Sequence, residues 1–127
     1  MAEKSLYLTQ QIISKLSVFY VTINSQEAAS KLASVLLEKK LIACCNMIGN
    51  TANPITSMYT WKDKVETDSE ILMMIKSRTE LLPEIVDTVK KNHPYEVPEV
   101  IALPIIGGNP EYIQWVLDNT KEPQSQE

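Results

Sequence analysis

The run Ile71-Leu72-Met73-Met74-Ile75 sets five apolar residues in a row between Glu70 and Lys76. As a strand it carries apolar side chains on both faces of a sheet, because successive residues point to opposite sides. Residues 17–23 (SVFYVTI), 41–48 (LIACCNMI) and 99–107 (EVIALPIIG) also barely alternate apolar with polar. A sheet with one solvated face alternates cleanly. Helices can cover one face here, but the other would stand in water as an apolar patch on the order of several hundred Å2. The pattern predicts an obligate oligomer in which other copies of the chain cover that face. A closed cyclic assembly would also protect strand edges.

Helical runs separate the strands. Residues 24–40 (NSQEAASKLASVLLEKK) place Ala29, Leu32, Ala33 and Leu36 at helical spacing, with Asn24 as the expected cap and Glu27 three residues on. The strand begun at Leu41 is interrupted between Gly49 and Pro54, which reads as a bulge or bend, and resumes through Trp61. Lys62–Glu66 reads as a turn, and residues 67–77 return as the second arm of a long hairpin. Residues 78–92 then repeat Leu82, Ile85, Val86 and Val89 on one helical face, with Pro83 confined to the first turn. A fourth strand spans 99–107, and Asn109 and Pro110 open a last helix over 109–120.

The order β-α-β-β-α-β-α predicts an α+β fold of the ferredoxin-like, split βαβ kind. It has an antiparallel sheet, both main helices on one face, a long hairpin between the second and third strands and an extra C-terminal helix. One domain over 17–120 accounts for it. Residues 1–16 read as an extension, where Leu8, Ile12, Ile13 and Leu16 fall near helical spacing, and 121–127 as a polar tail.

Charge and motifs exclude several classes. A net charge of −4 with no basic stripe excludes nucleic acid as an expected partner. No apolar run approaches the roughly 18 residues of a membrane span. The N-terminal residues lack the apolar core of a signal peptide, so a cytoplasmic protein is expected. The only glycines, Gly49, Gly107 and Gly108, build no phosphate loop, so no nucleotide cofactor is expected.

The chemistry-bearing residues are few. Cys44 and Cys45 are adjacent, so on a strand they face opposite sides. They read as small buried apolar residues in a reducing compartment, with a soft-metal or redox role as the alternative. His93, the only histidine, ends the second helix. There an imidazole can bond free carbonyls, ligate copper or zinc, or move a proton. The prolines of Pro94-Tyr95-Glu96-Val97-Pro98-Glu99 make a stiff lead into the last strand, suited to a pocket wall or subunit contact. Trp61, Lys62, Lys64 and Glu66 ring the hairpin tip, where an aromatic among mixed charges reads as an interface or ligand edge. Met47, Met58, Met73 and Met74 read first as gap-fillers, although thioethers also suit Cu(I).

The segments ACCN (43–46), YTWKDKVE (59–66), EILMMIKS (70–77), HPYEVPEVIALPI (93–105) and NPEYIQWV (109–116), in that order, resemble the CutA family of divalent-cation tolerance proteins over about residues 17–118. The resemblance implies a ferredoxin-like fold assembled as a homotrimer, with long hairpins wrapping the neighbours. It implies a role in tolerance of copper and other divalent cations, and no enzymatic reaction. Some animal members are associated with membrane anchoring of acetylcholinesterase. The likeness of such trimers to PII-type proteins gives the alternative, a scaffold or PII-like signalling module with no specific metal role.

Members proposed to bind copper carry a Cys late in the first strand and a His-His pair before Pro-Tyr. This chain has Val21, Asn92 and His93 there, so His93 alone is retained as a metal ligand. Asp63 stands where the family's hairpin tip usually has Gly. The family's inter-subunit cleft maps onto Cys44, Asn46, Trp61, Lys76, His93, Tyr95 and Glu99. Lys76 near Glu99 would suit a small anionic ligand or a structural ion pair.

Overall fold

A computed structural model describes residues 15–123 of the chain. The elements are β1 (Leu16–Ile23), α1 (Gln26–Glu38), β2 (Cys44–Ile48), β3 (Ile55–Trp61), β4 (Lys64–Arg78), α2 (Leu82–Asn92), β5 (Ile101–Pro104) and α3 (Pro110–Asp118), with a 3-10 turn over Thr79–Leu81 leading into α2. Every strand pairing is antiparallel, and the strands lie in the order β2-β4-β1-β5 with β3 on the outer half of β4. This is the split βαβ arrangement expected from the sequence. Among the described residues no helix is long and apolar enough to cross a membrane.

β4 is 15 residues long and organises the sheet. Its inner half pairs with β1 and β2, and its outer half pairs with β3 alone. Residues 49–54 loop out between Ile48, opposite Leu72, and Ile55, opposite Glu70. Gly49 makes the bend at a φ of 88°, a conformation side chains resist, and a Cβ there would meet the Ile55 nitrogen at 3.2 Å. The tip is tighter than the expected Lys62–Glu66 turn. Lys62 and Asp63 alone make it, with φ of 51° and 64°, the left-handed pair of a type I′ hairpin turn. Asp tolerates that region through its short polar side chain.

One face of the sheet is sealed. Phe19, Val21, Ile23, Ile71, Met73 and Ile75 form a single core with Ala29, Leu32 and Leu36 of α1 and with Ile85 and Val89 of α2. α1 is capped by Ser25, whose Oγ accepts from the Ala28 N–H at 3.1 Å, and not by Asn24. Ser25 is extended at φ −158°, ψ 157°, the backbone that a cap requires, one residue later than the pattern suggested. The helix ends through Lys40 at φ 56°, with Leu41 N–H bonded to Leu36 O at 3.0 Å and Lys40 N–H to Leu37 O at 3.0 Å. Pro83 sits in the first turn of α2, and Asn109 Oδ1 caps α3 through Glu111 N–H at 3.0 Å, with Pro110 as its first residue.

The opposite face follows from the register. Cys44, Lys76, Val18 and Leu103 lie in one row across it, and Asn46, Met74, Tyr20 and Ile101 in the next. Burial along β1 and the inner half of β4 alternates between full and partial, so the residues between the core positions are half-buried. α3 covers one end only, where Ile113 and Val116 enclose Leu16 and Ala43. Arg78 fastens that helix by donating to Thr120 Oγ1 and to the Leu117 carbonyl, both at 2.9 Å.

Several boundaries move, β2 beginning at Cys44 instead of Leu41 and β4 at Lys64 instead of Thr67 among them. β5 covers only Ile101–Pro104 of the expected 99–107, because Pro104 ends its donors and Pro98 stiffens its approach. Leu16, read with the N-terminal extension, is a fully buried residue of β1, whereas Leu8, Ile12 and Ile13 lie outside the described residues. Lys121, read with the polar tail, is held by Glu84 and by the Lys40 carbonyl. Residues 124–127 lie outside the described residues.

Candidate functional site

The segment after α2 is fixed by His93. Pro94 disfavours helical backbone at the residue before it, and His93 is extended at φ −110°, ψ 140°. Its ring does not cap the helix. The Asn92 Nδ2 does so instead, donating to the Thr88 carbonyl at 2.8 Å. His93 Nε2 lies 2.8 Å from the Thr22 carbonyl, and Nδ1 accepts from the Tyr95 N–H at 3.1 Å. These two bonds define the tautomer, with the proton on Nε2. β5 pairs only with Ser17–Tyr20, so no strand reaches the Thr22 carbonyl on that side, and the imidazole fills the place. Both ring nitrogens are thus engaged. Ligating a metal through either would break one of these bonds.

Tyr95 stacks edge-on against His93, with ring centroids 4.6 Å apart. Its hydroxyl donates to Glu70 Oε2 at 2.8 Å, linking the stiff segment to β4. Burial, and then the bond to Glu70, hold that hydroxyl well above the ordinary tyrosine range. Glu70 is only 5% exposed. Further out on the hairpin, Tyr59 donates to Asp68, and that bond pushes its hydroxyl up to about 12. Between the segment and the outer half of the hairpin lies an open cleft of about 690 Å3, with Thr22, Tyr59, Trp61, Glu70, Tyr95 and Glu99 among its walls. Glu99 is pushed above the usual carboxylate range, chiefly by desolvation and then by Glu70.

A second group of residues lies at the inner end of the sheet. Lys76 Nζ donates to Asn46 Oδ1, and Cys44 stands opposite Lys76 across the β2–β4 ladder. Cys44 Sγ is 3.3 Å from the Tyr112 hydroxyl on α3. Burial and that contact push Tyr112 up to about 12. Cys45 is on the other face, packed against the core, where desolvation pushes its thiol up to about 11. The adjacent cysteines therefore face opposite sides, as strand geometry requires. Met47 and Met73 belong to the core, Met74 lies on the open face and Met58 is exposed on β3. Among the described residues no three His, Cys, Asp or Glu side chains are gathered as a metal ion would need.

The seven residues expected in one cleft thus fall into two places within the chain. Trp61, Tyr95 and Glu99 line the outer cleft, with His93 against Tyr95 and Thr22 of its wall, and Cys44, Asn46 and Lys76 lie at the inner end. Glu70 and Lys76 are six positions apart on β4, about 20 Å along a strand. Within one chain Lys76 is therefore not the partner of Glu99, whose charged neighbour is Glu70. The sequence reading missed Glu70, Thr22, Tyr59 and Tyr112. Glu70 did leave a signal, as a carboxylate at the start of the longest apolar run, in phase with Leu72 and Met74 on the open face.

Residues 17–119 match the family model for the CutA1 divalent ion tolerance protein. Protein CutA of Homo sapiens is 48% identical over 105 residues, which cover 83% of this chain and 56% of that protein. The divalent-cation tolerance protein CutA of Thermus thermophilus is 41% identical over 103 residues, 81% of this chain and 96% of the other. The chain spans little more than half the length of its plant and mammalian relatives. The crystal structure of CutA1 from Oryza sativa superposes with a TM-score of 0.81 at 44% identity, covering 88% of this chain and 99% of that one. One rice relative is described as chloroplastic, and a structure from Archaeoglobus fulgidus as a periplasmic divalent cation tolerance protein.

Proposed function

The chain belongs to the CutA1 divalent ion tolerance family, and from that premise we propose that it acts as a homotrimer in tolerance of, or response to, divalent metal ions such as copper. Metal or a small ligand is taken up at clefts between subunits. The observation that carries the assembly is the open sheet face. Its rows are mostly apolar, with Lys76 and Asn46 as their polar members, α3 covers only one end, and Ile48, Ile101 and Leu103 are between 40% and 49% exposed. A second and third copy placed on that face would bury it, and the short β5 leaves strand edge for a neighbour to pair.

His93 remains the ligand proposed for metal from this chain, at the cost of its bond to Thr22 or to Tyr95. Catalysis is not part of the reading, since the only imidazole is tied into the backbone and the Cys45 thiol is held protonated at neutral pH. Two free thiols fit a reducing, cytoplasmic location. A scaffold or PII-like signalling role is the second reading. It is favoured by the projecting hairpin, which leaves Met58, Trp61 and Val65 exposed for a partner.

Native mass spectrometry, with and without stoichiometric copper, tests both readings on wild type, His93→Ala and His93→Gln. A trimer mass with copper taken up by wild type and lost in both variants supports the first. A trimer that takes up no copper, or equal copper in all three proteins, favours the scaffold. A monomer removes the argument from the open face.

A further inference from the structure

We propose that Cys45, Met47 and Met73 form a binding site for a soft monovalent ion, Cu(I), on the helix-covered side of the β2–β4 ladder. This deepens the metal part of the function proposed above and rests on that reading for its biological role. Its ligands are separate from His93. All three sulfurs come from one chain, and they lie opposite the sheet face proposed for the other copies.

Strand register brings the sulfurs together. Met47 stands directly opposite Met73, and Cys45, opposite Ile75, precedes Met47 by two residues. Residues two apart on a strand share a face, so the three side chains leave the sheet on the same side. Cys45 and Met47 pack against the core there, and Met73 belongs to it. Opposed Cβ atoms lie about 5 Å apart, and same-face neighbours along one strand about 7 Å. The flexible methionine side chains can close those gaps. Cys44 and Met74 project from the other face, away from this group.

Burial grades from a floor to a rim. Met73 is fully buried, whereas Cys45 and Met47, on β2 at the end of the strand order, are half-buried. Met47 Sδ is turned toward α1, where the exposed Ser30 hydroxyl donates to it at 3.9 Å. Cys45 Sγ donates to the adjacent Asn46 carbonyl, also at 3.9 Å. Thiols are weak donors and thioethers weak acceptors, so an incoming ion displaces little.

The donor set selects the ion. Thiolate and thioether sulfurs are soft and favour Cu(I). Among the described residues no three His, Cys, Asp or Glu side chains gather, so Cys45 has no pair of harder ligands beside it. Charge points the same way. Burial holds the empty Cys45 thiol protonated, pushed up to about 11. On binding, the S–H proton leaves to water, and the thiolate and Cu(I) form a neutral pair. A divalent ion on the same ligands would leave a net positive charge against an apolar wall, which is costly. Copper enters and stays as Cu(I), so no electron is transferred.

The test mixes the full chain, without oxygen, with Cu(I) held by the coloured chelator bathocuproine disulfonate, and reads the copper withdrawn. Wild type, Cys44→Ser and Met74→Leu are each expected to withdraw about one copper per chain. Cys45→Ser should withdraw none, and Met47→Leu and Met73→Leu should bind about tenfold more weakly. Leu and Met exchange with little change of volume, so the methionine variants carry the test if Cys45→Ser does not fold. The melting transition of each variant checks folding. No withdrawal by wild type, equal withdrawal by Cys45→Ser, loss in Cys44→Ser, or unweakened binding by both methionine variants overturns the proposal. So does displacement of the copper by equimolar Zn2+. His93→Gln separates the two metal readings. Copper lost there but kept in Cys45→Ser removes this inference and leaves the ligand proposed above. Copper kept there and lost in Cys45→Ser does the reverse.

Discussion

The Tyr95 hydroxyl reaches Glu70 Oε2 at 2.8 Å, and through that bond the segment after α2 is fastened to a strand residue 25 positions earlier. Both partners come from stretches that look unrelated in the sequence. The bond also supplies the only hydrogen-bond donor that the described residues offer to a buried carboxylate. Replacing Tyr95 by Phe removes that donor and leaves the charge in place. Tyr95→Phe should therefore cost about 2 kcal/mol, the usual scale for a hydrogen bond to a charged group. Urea unfolding of wild type and variant measures it, and a loss below a few tenths would mean that Glu70 finds another donor.

His93 serves two backbone groups at once, the Thr22 carbonyl and the Tyr95 N–H. His93→Ala should cost about 1–3 kcal/mol through those two unpaired groups. His93→Gln, which keeps one donor and one acceptor, should recover part of it. Amide hydrogen exchange at Tyr95 should quicken in the alanine variant. Unchanged exchange there would show that the ring does not hold the turn.

Glu99 carries the pH dependence. Its folded pKa is raised, so the folded state binds this proton more tightly than the unfolded chain does. Stability from this group is greatest below the ordinary carboxylate range and is lost as pH rises through the raised value. Glu99→Gln should then stabilise the protein at pH 7, by no more than about 0.5 kcal/mol because water screens so exposed a group. The gain should vanish near pH 4. Melting temperatures of the two proteins across that range decide it, and a gain that grows on acidification would reverse the sign.

The start of α1 offers a local comparison. Ser25→Ala should cost about 1 kcal/mol, since Ser25 Oγ takes the Ala28 N–H, while Asn24→Ala should change stability very little. Thermal unfolding of the two variants side by side separates the caps. Equal losses would mean that the two residues share the work.

The part of the structure that depends on near neighbours is legible along the chain. Apolar spacing placed α1 and α2, Asn109 and Pro110 marked the start of α3, Pro83 fell in a first turn, and Gly49 to Pro54 broke the hairpin strand where β2 ends and β3 begins. Runs that would not alternate announced a second apolar face, and the open rows of Val18, Tyr20, Met74 and Leu103 are that face. Tertiary structure alone decided which residues meet. His93 could be read as a helix cap because nothing local says that β5 stops short of Thr22 and leaves a carbonyl for its ring. Within one chain the length of β4 sets Lys76 about 20 Å from Glu70, the charged neighbour of Glu99, a separation that no local spacing states. The physical reason is that spacing along the chain fixes which face a side chain takes. Its partner across the fold is fixed by strand register and strand length, which are settled only when all the strands pack at once.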